Sequence, residues 1–69
     1  MVITIESEQE IDGRWIAEVT GLPGVLAYGG SQIEATAKAK ALALRVIADR
    51  LEHGETSDEL AMISFGAIA

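Results

Sequence analysis

The 69-residue chain contains no cysteine, one proline, one histidine and three aromatic residues. The absence of cysteine excludes a disulfide framework and a thiolate metal site, and a single histidine excludes a histidine cluster. Basic residues are also scarce, because five Lys and Arg stand against eleven Asp and Glu, for a net charge of −6. This balance argues against binding to nucleic acid, whose phosphates are held by basic side chains, and favours a basic partner.

The chain is short for its hydrophobic content. Its length predicts one small domain with a limited core, yet 49% of its residues are hydrophobic. We therefore expect additional burial between subunits, in a homodimer or a higher homo-oligomer. No apolar run reaches the roughly 18 residues of a membrane span, and the N-terminus lacks the basic segment of a signal peptide. We expect a cytoplasmic protein that does not contact a membrane.

Alternating apolar residues and turn residues predict four strands and one helix in a single domain over residues 1–69. The strands are expected at about residues 2–7, 14–19, 25–28 and 59–66, and the helix at about 32–53. The first strand is expected to end near Ser7, because the acidic residues that follow have no apolar partner stripe. The order β-β-β-α-β indicates an α+β fold with one small sheet and one long helix packed on one face.

Turns and caps support these boundaries. Asp12-Gly13 is typical of a hairpin turn, and Leu22-Pro23-Gly24 breaks the chain before the third strand. The helix begins with a capping box, in which the Ser31 hydroxyl accepts from the amide of residue 34 and Glu34 accepts from the amide of residue 31. The residues that mark the fold are Asp12, Gly13, Leu22, Pro23, Gly24, Ser31, Glu34 and Gly54.

The helix carries two apolar stripes. We expect the first to cover the sheet: Ile33, Ala37, Ala41, Leu44, Ala48 and Leu51. The second stripe then has no place in a monomer and is expected to form an interface: Ala35, Ala39, Leu42 and Val46. Trp15 is either a core residue, on a face with Ala17 and Val19, or an interface residue. The candidate partner or oligomer contacts are therefore Trp15, Ile16, Glu18, Ala35, Ala39, Leu42 and Val46.

The sequence predicts no catalytic, metal or cofactor site. A two-metal nuclease needs carboxylates that converge on the ions, whereas the acids at residues 6, 8, 10 and 12 run toward a turn and are interpreted as a solvated face. His53 precedes Gly54 at the helix end, where a histidine interacts favourably with the helix dipole. The segment Gly29-Gly30-Ser31 lacks the lysine of a phosphate-binding loop. We expect a protein that is not an enzyme.

The spacing of several motifs resembles the HicB family of antitoxins over about residues 1–53. The matching residues are Asp12, Gly13, Trp15, Ala17, Glu18, Val19, Leu22, Pro23, Gly24, Gly29, Ser31, Glu34 and Ala35. This resemblance implies a partly degraded ribonuclease-H-like fold of β-β-β-α-β type. It also implies a partner, a small basic ribonuclease toxin of the HicA type, which the antitoxin neutralises by direct contact.

The chain departs from that family pattern in one respect. Typical members add a C-terminal helix-turn-helix or ribbon-helix-helix domain that binds operator DNA, and this sequence ends at Ala69 after one more predicted strand. We therefore expect no direct DNA binding. The alternative hypothesis is an orphan homo-oligomeric module with no toxin partner and no catalytic activity.

Overall fold

A computed structural model, which describes residues 3–55, contains three strands followed by one helix. The strands are β1 (Ile5–Gln9), β2 (Trp15–Val19) and β3 (Leu26–Gly29), and the helix α1 is Gln32–Glu52. The strands form one antiparallel sheet in the order β1-β2-β3, and α1 packs on it. The α+β architecture is confirmed. The predicted strand at 59–66 lies outside the described residues.

The first strand, predicted at about residues 2–7, begins at Ile5 and ends at Gln9, so the prediction that it ends near Ser7 is wrong. Its pairing with β2 continues into the turn, where the Glu10 amide donates to the Arg14 carbonyl at 2.7 Å. Gly13 has a φ of 93°, a conformation that glycine adopts without steric penalty. The acidic residues do not end the strand, because they alternate toward solvent while β2 provides the backbone partners.

The start of α1 lies very close to β3. A Cβ atom at Gly29 would lie 2.6 Å from the Ala35 amide nitrogen, so only glycine fits at this crossing. Ser31 is the N-cap, and its hydroxyl accepts from the Glu34 amide at 3.1 Å. Glu34 Oε2 accepts from the Gly30 amide at 3.1 Å, one residue before the predicted donor. The capping box is therefore present, but Glu34 accepts from the residue before the N-cap and not from the N-cap itself.

The prediction of which helix face covers the sheet is wrong. The buried face of α1 consists of Ala35, Ala39, Ala43 and Ile47. These residues form one core with Ala17, Val19, Leu22 and Val25. Ile33 and Leu44, from the stripe expected in the core, are 84% and 61% exposed. The alanine side chains are small, so the helix can approach the sheet closely where it crosses Gly29. The larger side chains of the other stripe, such as Ile33 and Leu44, would hold the helix farther from the sheet.

The stripe expected at an interface is correspondingly part of the core. Ala35 and Ala39 are fully buried against the sheet, while Leu42 and Val46 are partly buried and pack on the same cluster. Trp15 is half-buried and also packs against this core. The large apolar residues that α1 leaves exposed are therefore Ile33, Leu44 and Leu51. Within residues 3–55, no helix combines the length and apolar character of a membrane span.

Candidate protein-binding face

The sheet turns one face toward α1 and leaves the other uncovered by any residue of the described part of the chain. Strand register places Glu6 opposite Glu18 and Glu8 opposite Ile16, with Ile16 opposite Tyr28 and Glu18 opposite Leu26. Alternation sends the intervening residues, such as Ala17 and Val19, to the helix side. We call this surface the open face, and it comprises Glu6, Glu8, Glu10, Arg14, Ile16, Glu18, Leu26 and Tyr28.

An apolar strip crosses the middle of the open face. Ile16 is half-buried, and its neighbours Leu26 and Tyr28 on β3 remain 39% and 42% exposed. The Arg14 guanidinium lies 4.7 Å from the centroid of the Tyr28 ring, within the range of a cation–π contact. The strip therefore presents aliphatic and aromatic surface to solvent, with one end capped by arginine.

Carboxylates border this apolar strip, mostly on the side of β1. Together with Ile16, they line a shallow depression whose acidic members are Glu6, Glu8, Glu10 and Glu18. Within residues 3–55, none of these four carboxylates forms an ion pair. Exposed like charges that share one face produce a local negative potential, which attracts positively charged partners. The open face is thus an acidic, partly apolar surface.

Arg14 does not neutralise these glutamates, because it is engaged in the hairpin turn. Its Nε donates to Asp12 Oδ2 at 2.7 Å, and its backbone amide donates to Asp12 Oδ1 at 3.1 Å. The hydrogen bond that the Arg14 backbone amide donates is the main cause that lowers the pKa of Asp12, and the guanidinium lowers it further. The Asp12 carboxylate therefore stabilises the hairpin turn and does not line the acidic depression.

The acidic residues are arranged along a strand rather than around a point. Side chains at alternate positions of a strand are about 6.6 Å apart, too far for three of them to share one ion. Within residues 3–55, no group of three acidic or histidine side chains has the geometry of a metal site.

The polar residues at the two ends of α1 have structural partners. His53 Nδ1 lies 2.7 Å from the Asp49 carbonyl oxygen and 3.3 Å from Asp49 Oδ1. At the other end, Glu34 bonds the Gly30 amide and pairs with Lys38 at 2.8 Å. The bond to Lys38 is the main cause that lowers the pKa of Glu34. The carboxylate of Glu34 thus occupies the helix N-terminus that an anion would need.

The structure separates the candidate contact residues into two groups. Ile16 and Glu18 lie on the open face, whereas Trp15, Ala35 and Ala39 lie on the helix side of the sheet. Leu26 and Tyr28 were missed as members of a binding surface. Alternation along the predicted strand 25–28 is a signal that could have placed them on one face, but their position beside Ile16 depends on the pairing of β2 with β3.

A second apolar surface lies between α1 and the outer side of β1. This groove is lined by Ile3, Ile5, Lys40, Ala43 and Leu44. Gln32 Nε2 donates to Ser7 Oγ at 2.8 Å and joins the start of α1 to β1. Ile33 continues the exposed apolar flank of α1. The molecule therefore has an acidic open face on one side of the sheet and an apolar groove along one edge.

Comparisons with known proteins identify no relative of this chain. No family model, curated protein or solved structure matches the chain. The resemblance to HicB antitoxins therefore depends on the quoted residues alone.

Proposed function

We propose that the chain is a HicB-like, antitoxin-type binding protein that neutralises a small basic toxin of the HicA type through its open face. The observation that carries this proposal is the pairing of Glu6 with Glu18 across neighbouring strands, beside the apolar strip that contains Ile16. Like charges placed directly opposite each other are unfavourable in a sheet. A cationic side chain from a partner would relieve that repulsion.

The chemistry of the open face favours a basic protein over a nucleic acid. Phosphates would be repelled by the carboxylates, since nucleic-acid affinity depends mainly on Lys and Arg. A basic protein would be attracted from a distance and oriented by the same charges. The exposed side chains of Leu26 and Tyr28 would then bury apolar area in the complex.

This arrangement also suggests how neutralisation would occur. A ribonuclease binds its substrate through cations that contact phosphates. A row of carboxylates, Glu6 and Glu8 on β1 and Glu10 directly after it, would occupy those cations in place of the RNA backbone. Inhibition would therefore result from competition for the basic surface and would require no catalytic group in the antitoxin.

The test uses a small basic protein encoded beside this chain as the binding partner. The double variant Glu6→Gln/Glu18→Gln should weaken the complex at least tenfold, on the order of 1.4 kcal/mol, and should fail to rescue growth when the partner is expressed. The control Glu52→Gln/Glu55→Gln removes the same charge at the helix end and should behave like the parent chain. Equal affinity for parent and open-face variant, measured by calorimetry, would contradict the proposal.

A homo-oligomeric module remains a second candidate, favoured by the exposed flank of α1. Ile33, Leu44 and Leu51 present apolar surface that a second copy could cover. Sedimentation equilibrium tests this second candidate, because such a module would be larger than the 7.3 kDa of one chain in the absence of any partner. A single-chain mass at every micromolar concentration would exclude it.

A further inference from the structure

The outer edge of β3 carries backbone groups that β2 does not bond. Val19, at the end of β2, donates its amide to the Val25 carbonyl at 2.9 Å. Antiparallel pairs alternate between bonded and non-bonded positions, so the odd-numbered residues of β3 bond to β2. The peptide groups of Leu26 and Tyr28 therefore point away from the sheet. Within residues 3–55, β3 is an edge strand, and such an edge is a template for another strand.

The β3 strand lacks the features that normally protect an exposed edge. Proteins discourage pairing between edges with charged side chains or proline on the edge strand. The residues Leu26, Ala27, Tyr28 and Gly29 include neither. The strand at the opposite edge, β1, carries Glu6 and Glu8. Of the two edges, only β1 is therefore protected by charge.

We infer that β3 pairs antiparallel with β3 of a second copy of this chain, so that one sheet runs continuously through a two-fold dimer. An axis through Ala27 places Leu26 opposite Tyr28 of the second copy. Each of these pairs exchanges two backbone hydrogen bonds, so the outward peptide groups of β3 are satisfied by β3 itself. This interface differs from the exposed flank of α1 and requires no toxin partner.

The neighbouring glycines determine the position of the axis. An axis through Leu26 would need backbone bonds from Gly24, which has a φ of 82° and is not extended. An axis through Tyr28 would need bonds from Gly30, whose amide already donates to Glu34 Oε2 at 3.1 Å. Only the axis through Ala27 draws all of its bonds from extended residues of β3.

The charge distribution favours a second copy at this edge. Each chain has a net charge of −6, so two copies associate most readily where their carboxylates are far apart. Pairing through β3 separates Glu18 from Glu18 of the second copy by three strand spacings, about 14 Å, which exceeds the Debye length of about 8 Å at physiological salt. Pairing through β1 would instead place Glu6 opposite Glu8 of the second copy, which is unfavourable. A basic partner is attracted to the carboxylates, whereas the neutral edge of β3 matches another neutral edge.

The dimer also extends the apolar strip of the open face. Leu26 and Tyr28 of one copy lie beside Tyr28 and Leu26 of the other, and such aliphatic and aromatic cross-strand pairs are favourable. The strip then runs from Ile16 of one copy to Ile16 of the other, with carboxylates at both ends. These side chains remain on the open face, so the pairing leaves that face accessible to a partner.

A single introduced thiol tests the pairing, because the chain contains no cysteine. Ala27→Cys places two thiols beside the axis, where the Cα atoms of a non-bonded antiparallel pair lie about 4.5 Å apart, within the range of a disulfide. Mild oxidation should convert this variant to twice the 7.3 kDa of one chain. Ser7→Cys is the matched control, since Ser7 is a half-buried residue at the β1 edge, and it should remain a single chain. Equal cross-linking of the two variants would overturn the inference.

Amide hydrogen exchange of the unmodified chain, followed by NMR and compared with sedimentation equilibrium, provides a second test. Where two chains associate, the amides of Leu26 and Tyr28 should exchange about tenfold or more slowly than those of Ile5 and Ser7 at the other edge. A two-chain mass with fast exchange at Leu26 and Tyr28 would overturn the inference, because the interface would lie elsewhere. Slow exchange at a single-chain mass would also overturn it, because the same chain would then cover the edge. A single-chain mass at every micromolar concentration would contradict the dimer itself.

Discussion

Glu6 and Glu18 lie directly opposite each other on β1 and β2, and both side chains are exposed on the open face. A sheet selected only for stability would place an opposite charge at one of these positions. Cross-strand pairs of this kind change stability by roughly 0.2–1 kcal/mol. The repulsion is therefore small enough to be tolerated in a folded protein and is located where a basic partner would benefit from it.

The first prediction concerns this pair. Glu18→Lys should stabilise the free protein by about 0.5 kcal/mol, because it replaces a repulsive pair by an attractive one. The same variant should abolish binding to a basic partner. Urea unfolding measures the first effect, and Glu55→Lys, which changes the net charge equally at the helix end, should leave stability unchanged. A less stable Glu18→Lys chain would show that the repulsion is unimportant.

The second prediction concerns the crossing of β3 and α1. Gly29→Ala should destabilise the fold by about 1–3 kcal/mol, because its Cβ would lie 2.6 Å from the Ala35 amide nitrogen. Gly21→Ala is the matched control, since nothing lies within 4 Å of the added atom. Thermal unfolding of the two variants compares them directly. Equal melting temperatures would mean that the helix can move away from the sheet at little cost.

The third prediction tests which face of α1 is buried. Ala39→Leu should cost about 1–3 kcal/mol by overpacking, whereas Ala41→Leu, on an exposed position of the same helix, should change stability by less than about 0.5 kcal/mol. The two variants have identical composition, so helix propensity does not distinguish them. A larger loss for Ala41→Leu than for Ala39→Leu, seen in urea unfolding, would restore the face expected from the sequence.

Local patterns in the sequence were sufficient for the order of the described elements and for the helix cap. The Asp12-Gly13 turn and the Ser31 cap depend on residues within a few positions of each other, so they can be recognised without a structure. The end of β1 was misplaced because it is determined by pairing with β2. Both stripes of α1 are apolar, so the helix sequence alone does not indicate which one covers the sheet. The buried stripe follows from the close approach of α1 to Gly29, which is a contact between two different elements.

The candidate site was only partly predictable for the same reason. Ile16 and Glu18 are two residues apart, so alternation along their strand is enough to place them on one face. Their neighbours across the sheet, Glu6 and Tyr28, are distant in sequence and meet them through register. The acidic depression is therefore a product of strand pairing, and residue spacing along the chain does not reveal it.

The last prediction concerns stability at acidic pH. The pKa of Glu34 is lowered from its ordinary value of 4.5, chiefly by the hydrogen bond from Lys38 and then by the Gly30 amide. A carboxyl group whose pKa is lower in the folded state stabilises the fold above its unfolded pKa, and that contribution is lost as the pH falls through the folded pKa. Stability that depends on Glu34 is therefore complete near pH 7 and declines below about pH 4.5.

Glu34→Gln should consequently reduce the free energy of unfolding at pH 7 and should lessen its decline between pH 5 and pH 3. The amide can still accept from Gly30 but no longer attracts Lys38, so the surviving stability is independent of this titration. Urea unfolding at a series of pH values measures both effects. Glu52→Gln, at the opposite end of α1, is the matched control and should keep the parent pH profile. Identical profiles for Glu34→Gln and the parent would show that the capping carboxylate does not contribute to acid sensitivity.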